Sequence, residues 1–284
     1  MKCAYLSYFL ALLLFGSNGV VASSIHLDSY EIVLLRSALG TILLLAIYFL
    51  RGHKLTALRH KKDLFFIALS GVSMAADWLF LFEAYAQIGV SMGMLINYCG
   101  PTIVVALSPF LFKERLTKSK QAALLAALIG VFLISGQAMG GGSSWGLTCA
   151  ILSAFSYASM VICNKIAKQV QGLENAMLQL LFTFLTVAVF VWVKQGIRIE
   201  VVSEDLLPIL WLGLLNTGGG CYFYFSSIGR LPAQTVAICG YLEPLSAVLF
   251  SFLFLHEVMS PLQIIGATLI ISGALIGARV IKFK

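Results

Sequence analysis

Apolar stretches separated by short polar connections run along the whole chain. Each stretch covers roughly 20 residues, the length that an α-helix needs to cross about 30 Å of hydrocarbon. The pattern therefore predicts an all-α membrane protein with ten transmembrane helices. The predicted helices cover residues 4–22, 29–50, 63–87, 90–112, 120–136, 146–167, 175–193, 206–228, 232–255 and 261–281.

Composition supports this fold class. Of the 284 residues, 60% are apolar and only 11% are charged, and the mean hydropathy is +0.96. A soluble domain carries about 25% charged residues. The sequence therefore predicts a multi-pass protein whose surroundings are the lipid bilayer, in the cell (plasma) membrane.

The basic residues predict the orientation of the helices, because connections on the cytoplasmic side retain Lys and Arg. With both termini in the cytoplasm, 16 of the 19 basic residues fall on that side, most of them in the connections at residues 51–62 and 113–120. The net charge of +7 is thus explained by membrane insertion, and nucleic-acid binding is not expected.

An internal repeat appears at a fixed offset along the chain. The stretch NYCGPTIVVALSPFLFKERLT (97–117) aligns with GYLEPLSAVLFSFLFLHEVMS (240–260), and both copies place Y-x-x-P ahead of a glutamate. Tyr98 falls on Tyr241, Pro101 on Pro244 and Glu114 on Glu257, and this spacing is called the repeat offset below. Matched tyrosine, proline and glutamate residues in otherwise apolar strings favour a duplication.

The duplication predicts the domain organisation. Residues 1–137 form the first five-helix repeat, residues 138–145 an outer linker, and residues 146–284 the second five-helix repeat. An odd number of helices makes the second copy enter the membrane from the opposite side, so the repeats are inverted. The N-terminus also fits a cleaved signal peptide, but the first helix is needed as the counterpart of the sixth, which favours retention.

The matched prolines point to a binding site. Proline removes a backbone hydrogen bond, so Pro101 and Pro244 each interrupt a helix near the bilayer midplane. Interrupted helices at equivalent positions of inverted repeats mark substrate sites in transporters, although a kink with packing value only is the alternative. The candidate cavity residues are polar or aromatic residues at midbilayer depth and the two prolines: Asn18, Trp78, Asn97, Tyr98, Pro101, Asn216, Tyr241, Glu243 and Pro244.

Three ionisable residues lie within predicted helices. Arg36 and Asp77 reach similar depths, and because a charge in hydrocarbon costs about 3 kcal/mol or more, we expect them to form a structural ion pair. Glu243 then has no basic residue at its depth, and its counterpart Gly100 is uncharged. Glu243 is either a proton carrier or amine contact, or a protonated residue that bonds a neighbouring carbonyl.

The chain resembles the EamA-type, ten-helix drug/metabolite transporter superfamily over essentially its whole length. The resemblance rests on FGSN (15–18), YEIVLLR (30–36), FLFKERLT (110–117), SAFSYASMVICNKIA (153–167) and LEPLSAVLFSFLFLHE (242–257) with the G-x-x-x-G that follows it. Phe15 departs from the tryptophan that relatives often carry. The resemblance implies a secondary transporter that exports amino acids, other metabolites or drugs through a cavity between its halves.

Other classes of function fit less well. The sequence lacks the G-x-S-G, G-x-G-D and aspartate-rich motifs of intramembrane enzymes, and a scaffold has no need of matched prolines. It also lacks a phosphate-binding loop, so transport is facilitated or proton-coupled. We expect a small-molecule substrate, no catalytic residues, no metal and no cofactor, and the sequence leaves homo-oligomerisation open.

Overall fold

A computed structural model describes residues 2–88, 93, 96–135, 143–196, 199, 201–254 and 260–279. Within these ranges the regular elements are helical. The α-helices are α1 (Lys2–Gly16), α2 (Asn18–Ala22), α3 (Ser29–Leu50), α4 (Lys61–Ile88), α5 (Cys99–Phe112), α6 (Lys118–Ser135), α7 (Ser144–Ile166), α8 (Gly172–Gln195), α9 (Leu206–Leu210), α10 (Gly220–Ile228), α11 (Ala233–Gly240), α12 (Leu242–Phe254) and α13 (Pro261–Arg279). A π-helical stretch, Trp211–Gly219, joins α9 to α10, and short 3-10 turns lie at Ala57–Arg59 and Ser203–Asp205.

The described helices follow the predicted apolar stretches. Among the described residues, six helical spans are long and apolar enough to cross a membrane: Cys3–Ala22, Ser29–Leu50, Lys61–Tyr85, Ser144–Ile166, Gly172–Gln195 and Ser203–Ile228. The chain is therefore an all-α membrane protein, as predicted. The count of ten transmembrane helices and the cytoplasmic position of the termini stay predictions, and part of the predicted helix at 90–112 lies outside the described residues.

Polar side chains lie inside the helix assembly and apolar ones cover much of its outside. Arg36, Asp77 and Gln179 are each less than 9% exposed, whereas Phe110 is 83% exposed and Val193 is 76% exposed. This distribution suits a membrane, because lipid solvates apolar side chains while polar groups need partners inside the protein. The interior is therefore the place where a polar substrate site can exist.

Polar side chains and a proline mark the ends of several helices. Thr117 Oγ1 accepts a hydrogen bond from Lys120 N at 3.4 Å as α6 begins, and α13 begins at Pro261. Glu114 accepts hydrogen bonds from Ala233 N at 2.7 Å and Gln234 N at 3.1 Å, so it caps α11. Its sequence counterpart, Glu257, lies outside the described residues.

Reciprocal contacts support the repeat. Arg36 Nε donates to Thr217 Oγ1 at 3.0 Å, while Gln179 Nε2 contacts Met74 Sδ at 3.7 Å. The repeat offset carries Arg36 onto Gln179 and Met74 onto Thr217. Such exchange of positions is what a two-fold relation between two copies produces.

The pair of helices α6 and α13 obeys the same relation. A Cβ placed on Gly130 would lie 2.6 Å from the Gly266 carbonyl oxygen, and one on Gly273 would lie 2.7 Å from the Ala123 carbonyl oxygen. The repeat offset carries Gly130 onto Gly273 and Ala123 onto Gly266. The two glycines therefore bring these helices into close contact within one chain, and Gly273 packs intramolecularly. The exact repeat boundaries, 137 and 146, stay a prediction.

Candidate substrate-binding site

Arg36 lies on α3 in the interior, where it is 8% exposed. Its Nε donates to Thr217 Oγ1 at 3.0 Å, and its guanidinium lies over the Trp78 ring, 4.5 Å from the centroid. A guanidinium over an indole is stabilised by the ring's negative face, most strongly where water is excluded. Arg36 is therefore held by a hydroxyl and an aromatic ring.

The π-helical stretch positions the hydroxyl. Thr217 Oγ1 donates to the Leu212 carbonyl, five residues earlier, at 2.8 Å, and so its lone pairs remain to accept from Arg36. Single π-helical turns within α-helices occur frequently at functional sites. The glycines of this stretch also permit close approach, because a Cβ on Gly218 would lie 2.8 Å from Leu43 Cδ2.

The prediction of an ion pair between Arg36 and Asp77 was wrong. Within the described residues the ion pairs are His26–Asp205 and Lys194–Glu83. Asp77 instead accepts a hydrogen bond from Asn97 Nδ2 at 2.7 Å. The reason is geometric: successive residues on a helix point about 100° apart, so Trp78 faces Arg36 while Asp77 faces α7 and the start of α5.

Asn97 is oriented by a second acceptor. Its Nδ2 donates to Ser153 Oγ at 3.1 Å as well as to Asp77, and all three residues are buried. The amide nitrogen therefore faces the Asp77 carboxyl, and the pairing holds that carboxyl in place. Asn97, a candidate cavity residue, therefore lies beside the Asp77 carboxyl.

Glu243 lies in the first turn of α12. The residue is half-buried, as are Trp78, Tyr85 and Tyr157. We refer to Arg36, Asp77 and Glu243 as the charged cluster, because the Glu243 carboxyl interacts electrostatically with the other two groups.

The charged cluster differs from the one expected. The Arg36 guanidinium is within electrostatic range of the Glu243 carboxyl, and so is the Asp77 carboxyl. The expectation that Glu243 has no basic neighbour was therefore wrong, because Arg36 was assigned to Asp77. Glu243 therefore has one cationic group and one other carboxyl within electrostatic range.

Five tyrosines lie within electrostatic range of the Glu243 carboxyl: Tyr8, Tyr85, Tyr98, Tyr157 and Tyr224. The hydroxyls of Tyr157 and Tyr224 are 3.5 Å apart, and the rings of Tyr8 and Tyr224 are 5.5 Å apart. Sequence reasoning did not select Tyr8, Tyr85 or Tyr157 as cavity residues. The available signal was their position within apolar stretches, where a tyrosine hydroxyl needs a partner.

The prolines interrupt their helices at matched positions. The α-helical pattern breaks at Tyr98 and Tyr241, three residues before Pro101 and Pro244, and both prolines are buried. Tyr241 Oη donates to the Tyr98 carbonyl at 2.8 Å and lies 3.2 Å from Thr102 Oγ1. The Tyr98 carbonyl at the first break thus accepts a hydrogen bond from the Tyr241 side chain at the second break. This hydrogen bond links the two copies of the repeat.

Asn18 and Asn216 are brought together. Asn216 Nδ2 donates to Asn18 Oδ1 at 3.0 Å and to Ser17 Oγ at 2.9 Å. Asn216 is fully buried, and the contact joins α2 to the π-helical stretch. These two candidates therefore form an interhelical polar contact.

Glu243 and Asp77 each carry a carboxyl, whereas the residues at the equivalent positions of the other copy are uncharged. At the repeat offset, Gly100 and Gly220 are the counterparts of Glu243 and Asp77. A Cβ on Gly100 would lie 2.8 Å from Tyr157 Cδ1, and one on Gly220 would lie 2.6 Å from Phe15 Cε1. Aromatic rings thus pack on the glycines, and the scaffold is nearly symmetric while its charges are not.

The arrangement suits binding of a small organic molecule. The charged cluster and its neighbours offer a guanidinium, two carboxyls, tyrosine hydroxyls and an indole, which provide both polar contacts and aromatic surface. In the part of the chain that the structure describes, no group of three His, Cys, Asp or Glu side chains is arranged to hold a metal ion.

Comparisons with known proteins extend over almost the full chain. The model of the EamA-like transporter family matches residues 2–136 and again 144–278. The chain is 25% identical to the uncharacterized transporter YxxF of Bacillus subtilis (strain 168), over 95% of this chain and 88% of that protein. It is 27% identical to an uncharacterized transporter of Helicobacter pylori (strain J99 / ATCC 700824), over 94% and 91%.

A solved crystal structure has the same fold. It superposes with a TM-score of 0.83 over 99% of this chain and 100% of that chain, at 19% sequence identity. At that identity the likeness concerns the fold alone.

Proposed function

As a member of the EamA-like transporter family, this chain is a multi-pass membrane transporter, and we propose that it exports small organic metabolites across the cytoplasmic membrane. The proposed substrates are amino acids or similar solutes, with drugs as a second group. The observation that carries the proposal is the charged cluster of Arg36, Asp77 and Glu243, with Trp78 on the Arg36 guanidinium and with Arg36 and Asp77 on membrane-long helices.

The charges favour a substrate with an anionic and a cationic end. Arg36 lies over the Trp78 ring whereas Asp77 pairs with Asn97, so we infer that the two charges present distinct ends of one site. An anionic group on the substrate suits Arg36, and an ammonium group suits Asp77 or Glu243. The tyrosines and Trp78 supply surface for the apolar part of such a solute.

We propose that Glu243 exchanges protons during transport. Removal from water disfavours a carboxylate, and the attraction of Arg36 opposes this effect, so a change in the charge near Arg36 changes the affinity of Glu243 for a proton. Two inverted five-helix repeats, 1–137 and 146–284 with residues 138–145 between them, would alternate access around this fixed site. The asymmetric charges favour one proton carrier instead of two.

Two alternatives remain distinct from this proposal: an intramembrane enzyme and a non-transporting scaffold. Neither alternative explains why broken helices at matched positions accompany enclosed charges, an arrangement that suits transport.

The test is flux in vesicles reconstituted with the purified protein. Uptake and efflux of a panel of amino acids and cationic drugs are measured with and without a proton gradient. We expect at least one solute to move faster than in protein-free vesicles, and Arg36→Leu to abolish that movement. The matched control is Arg115→Leu, which removes an exposed guanidinium in the α5–α6 connection. Equal flux for wild type and Arg36→Leu, with all solutes, contradicts the proposed site.

A further inference from the structure

The connection between α3 and α4 combines basic residues with an exposed leucine. Residues 51–62 read RGHKLTALRHKK and contain five Lys or Arg residues, all of them exposed. Leu58 is 64% exposed in their midst, and Leu50 at the end of α3 is 87% exposed. Asp63, the acidic residue that follows, is buried. The surface of this connection is therefore cationic around one apolar side chain.

The connection is built as an ordered turn. Glu174, on α8 of the second copy, accepts hydrogen bonds from Thr56 N at 2.6 Å and Ala57 N at 2.8 Å. Tyr48 Oη donates to the Lys54 carbonyl at 2.8 Å, and Ala57 is only 1% exposed. Because both flanking segments are fixed, Leu58 is held outward while its neighbour Ala57 is buried.

The position of the turn places it at a membrane surface. Ser29–Leu50 and Lys61–Tyr85 are both long and apolar enough to cross a membrane, and the turn joins their adjacent ends. Phospholipid phosphates and the upper acyl chains meet at this level. Clusters of four to eight Lys or Arg next to a membrane helix attract anionic lipid, and an apolar side chain among them enters the interface.

We propose that the turn at residues 51–62 binds the headgroups of anionic phospholipids, with Leu58 inserted among the adjacent acyl chains. Lys54, Arg59 and Lys61 contact the phosphates. Through Glu174, a lipid bound there acts on a joint between the two copies of the repeat.

The repeat supplies an internal comparison. At the repeat offset, Leu58 corresponds to Val201, which is 38% exposed, and Lys61 corresponds to Glu204, which is also exposed. The counterpart connection thus keeps an apolar residue and reverses the charge. Anionic lipid should be recognised at the turn 51–62 and not at its counterpart.

The experiment measures the thermal midpoint of the full chain in detergent micelles containing phosphatidylglycerol or phosphatidylcholine. We expect phosphatidylglycerol to raise the midpoint more, since a ligand that binds the folded state stabilises it. The combined variant Lys54→Gln, Arg59→Gln, Lys61→Gln should lose about half or more of that difference. Leu58→Ser, which keeps every charge, should also reduce it, and Val201→Ser should leave it unchanged.

Three results would overturn the proposal. The first is an unchanged lipid response in the triple variant and in Leu58→Ser. The second is an equal loss in Lys113→Gln, Arg115→Gln, Lys118→Gln, which would assign the effect to general surface charge. The third is an equal stabilisation by soluble glycerol phosphate, which would assign the site to a free anion. If the triple variant inserts poorly, the lipid responses of Leu58→Ser and Val201→Ser are compared instead, and equal responses contradict the proposal.

Discussion

Asp205 binds His26 twice, by accepting the backbone N–H of His26 at 3.0 Å and by contacting its Nδ1 at 2.9 Å. In a similar contact, Asp63 of the first copy accepts a hydrogen bond from the backbone N–H of Gln169 of the second copy. At the repeat offset, His26 corresponds to Gln169. Asp205 corresponds to the residue next to Asp63, so the two contacts lie at nearly equivalent positions of the two copies. Only the His26 contact can change its charge near neutral pH.

Stability should therefore depend on pH through His26. The hydrogen bond and the charge of Asp205 raise the pKa of His26 above its ordinary value of 6.5, and Glu204 adds to this. A raised pKa means that the contribution is fully present below pH 6.5 and is lost as pH rises through the raised pKa. We expect the thermal midpoint to fall as the pH rises above 6.5 and through the raised pKa of His26, and His26→Gln, which copies Gln169, to flatten that fall.

The control for this prediction is His53→Gln, since His53 is an exposed histidine of the α3–α4 connection. That variant should keep the wild-type pH profile. An unchanged profile in His26→Gln would show that the pH dependence comes from another group.

Glu243→Gln should preserve the fold and change transport. The amide has nearly the same shape but cannot release a proton, so the pH dependence of flux should disappear while expression and insertion persist. Flux is measured over a pH series in vesicles, with Glu204→Gln as the control because Glu204 is exposed. A wild-type pH profile in a well-inserted Glu243→Gln variant would assign Glu243 to structure.

Loss of the Trp78 ring should destabilise the protein through Arg36. A desolvated cation–π contact is worth about 2 kcal/mol, and Trp78→Leu removes it while keeping an apolar side chain. We expect the free energy of unfolding to fall by roughly that amount, with Trp78→Phe intermediate between Trp78→Leu and wild type. Trp192→Leu, at a side chain that is 67% exposed, is the control, and an equal loss there would argue against the contact.

The prolines should matter more for transport than for insertion. Pro101→Ala and Pro244→Ala each restore a backbone donor near the breaks at Tyr98 and Tyr241, which favours a continuous helix. We expect flux to fall in both variants while the amount of inserted protein stays near wild type. Pro109→Ala, in the same helix as Pro101, is the control. Wild-type flux in both variants would reduce the breaks to packing kinks.

Membrane topology is testable by cysteine labelling. Gly142→Cys should react with an impermeant reagent from outside, whereas Lys118→Cys should react only after permeabilisation, because we predict opposite sides for these positions. Residue 142 lies outside the described residues. External labelling at 118 would contradict the inverted arrangement.

The sequence alone predicted the fold class because membrane helices require long apolar stretches whatever their neighbours are. The helix α3 coincides with the predicted 29–50, and the breaks at Tyr98 and Tyr241 follow from the chemistry of proline. The repeat offset also depends only on sequence, since the duplicated residues themselves carry it.

The partners of the charged residues were decided by the tertiary structure. Depth along a helix is readable from sequence, and it placed Arg36 and Asp77 at one level. Depth does not give the direction of a side chain around the helix axis or the neighbouring helix that it faces, which depend on how the helices pack. That packing turns Trp78 toward Arg36 and Asp77 toward Asn97, and it brings Glu243 near both charges.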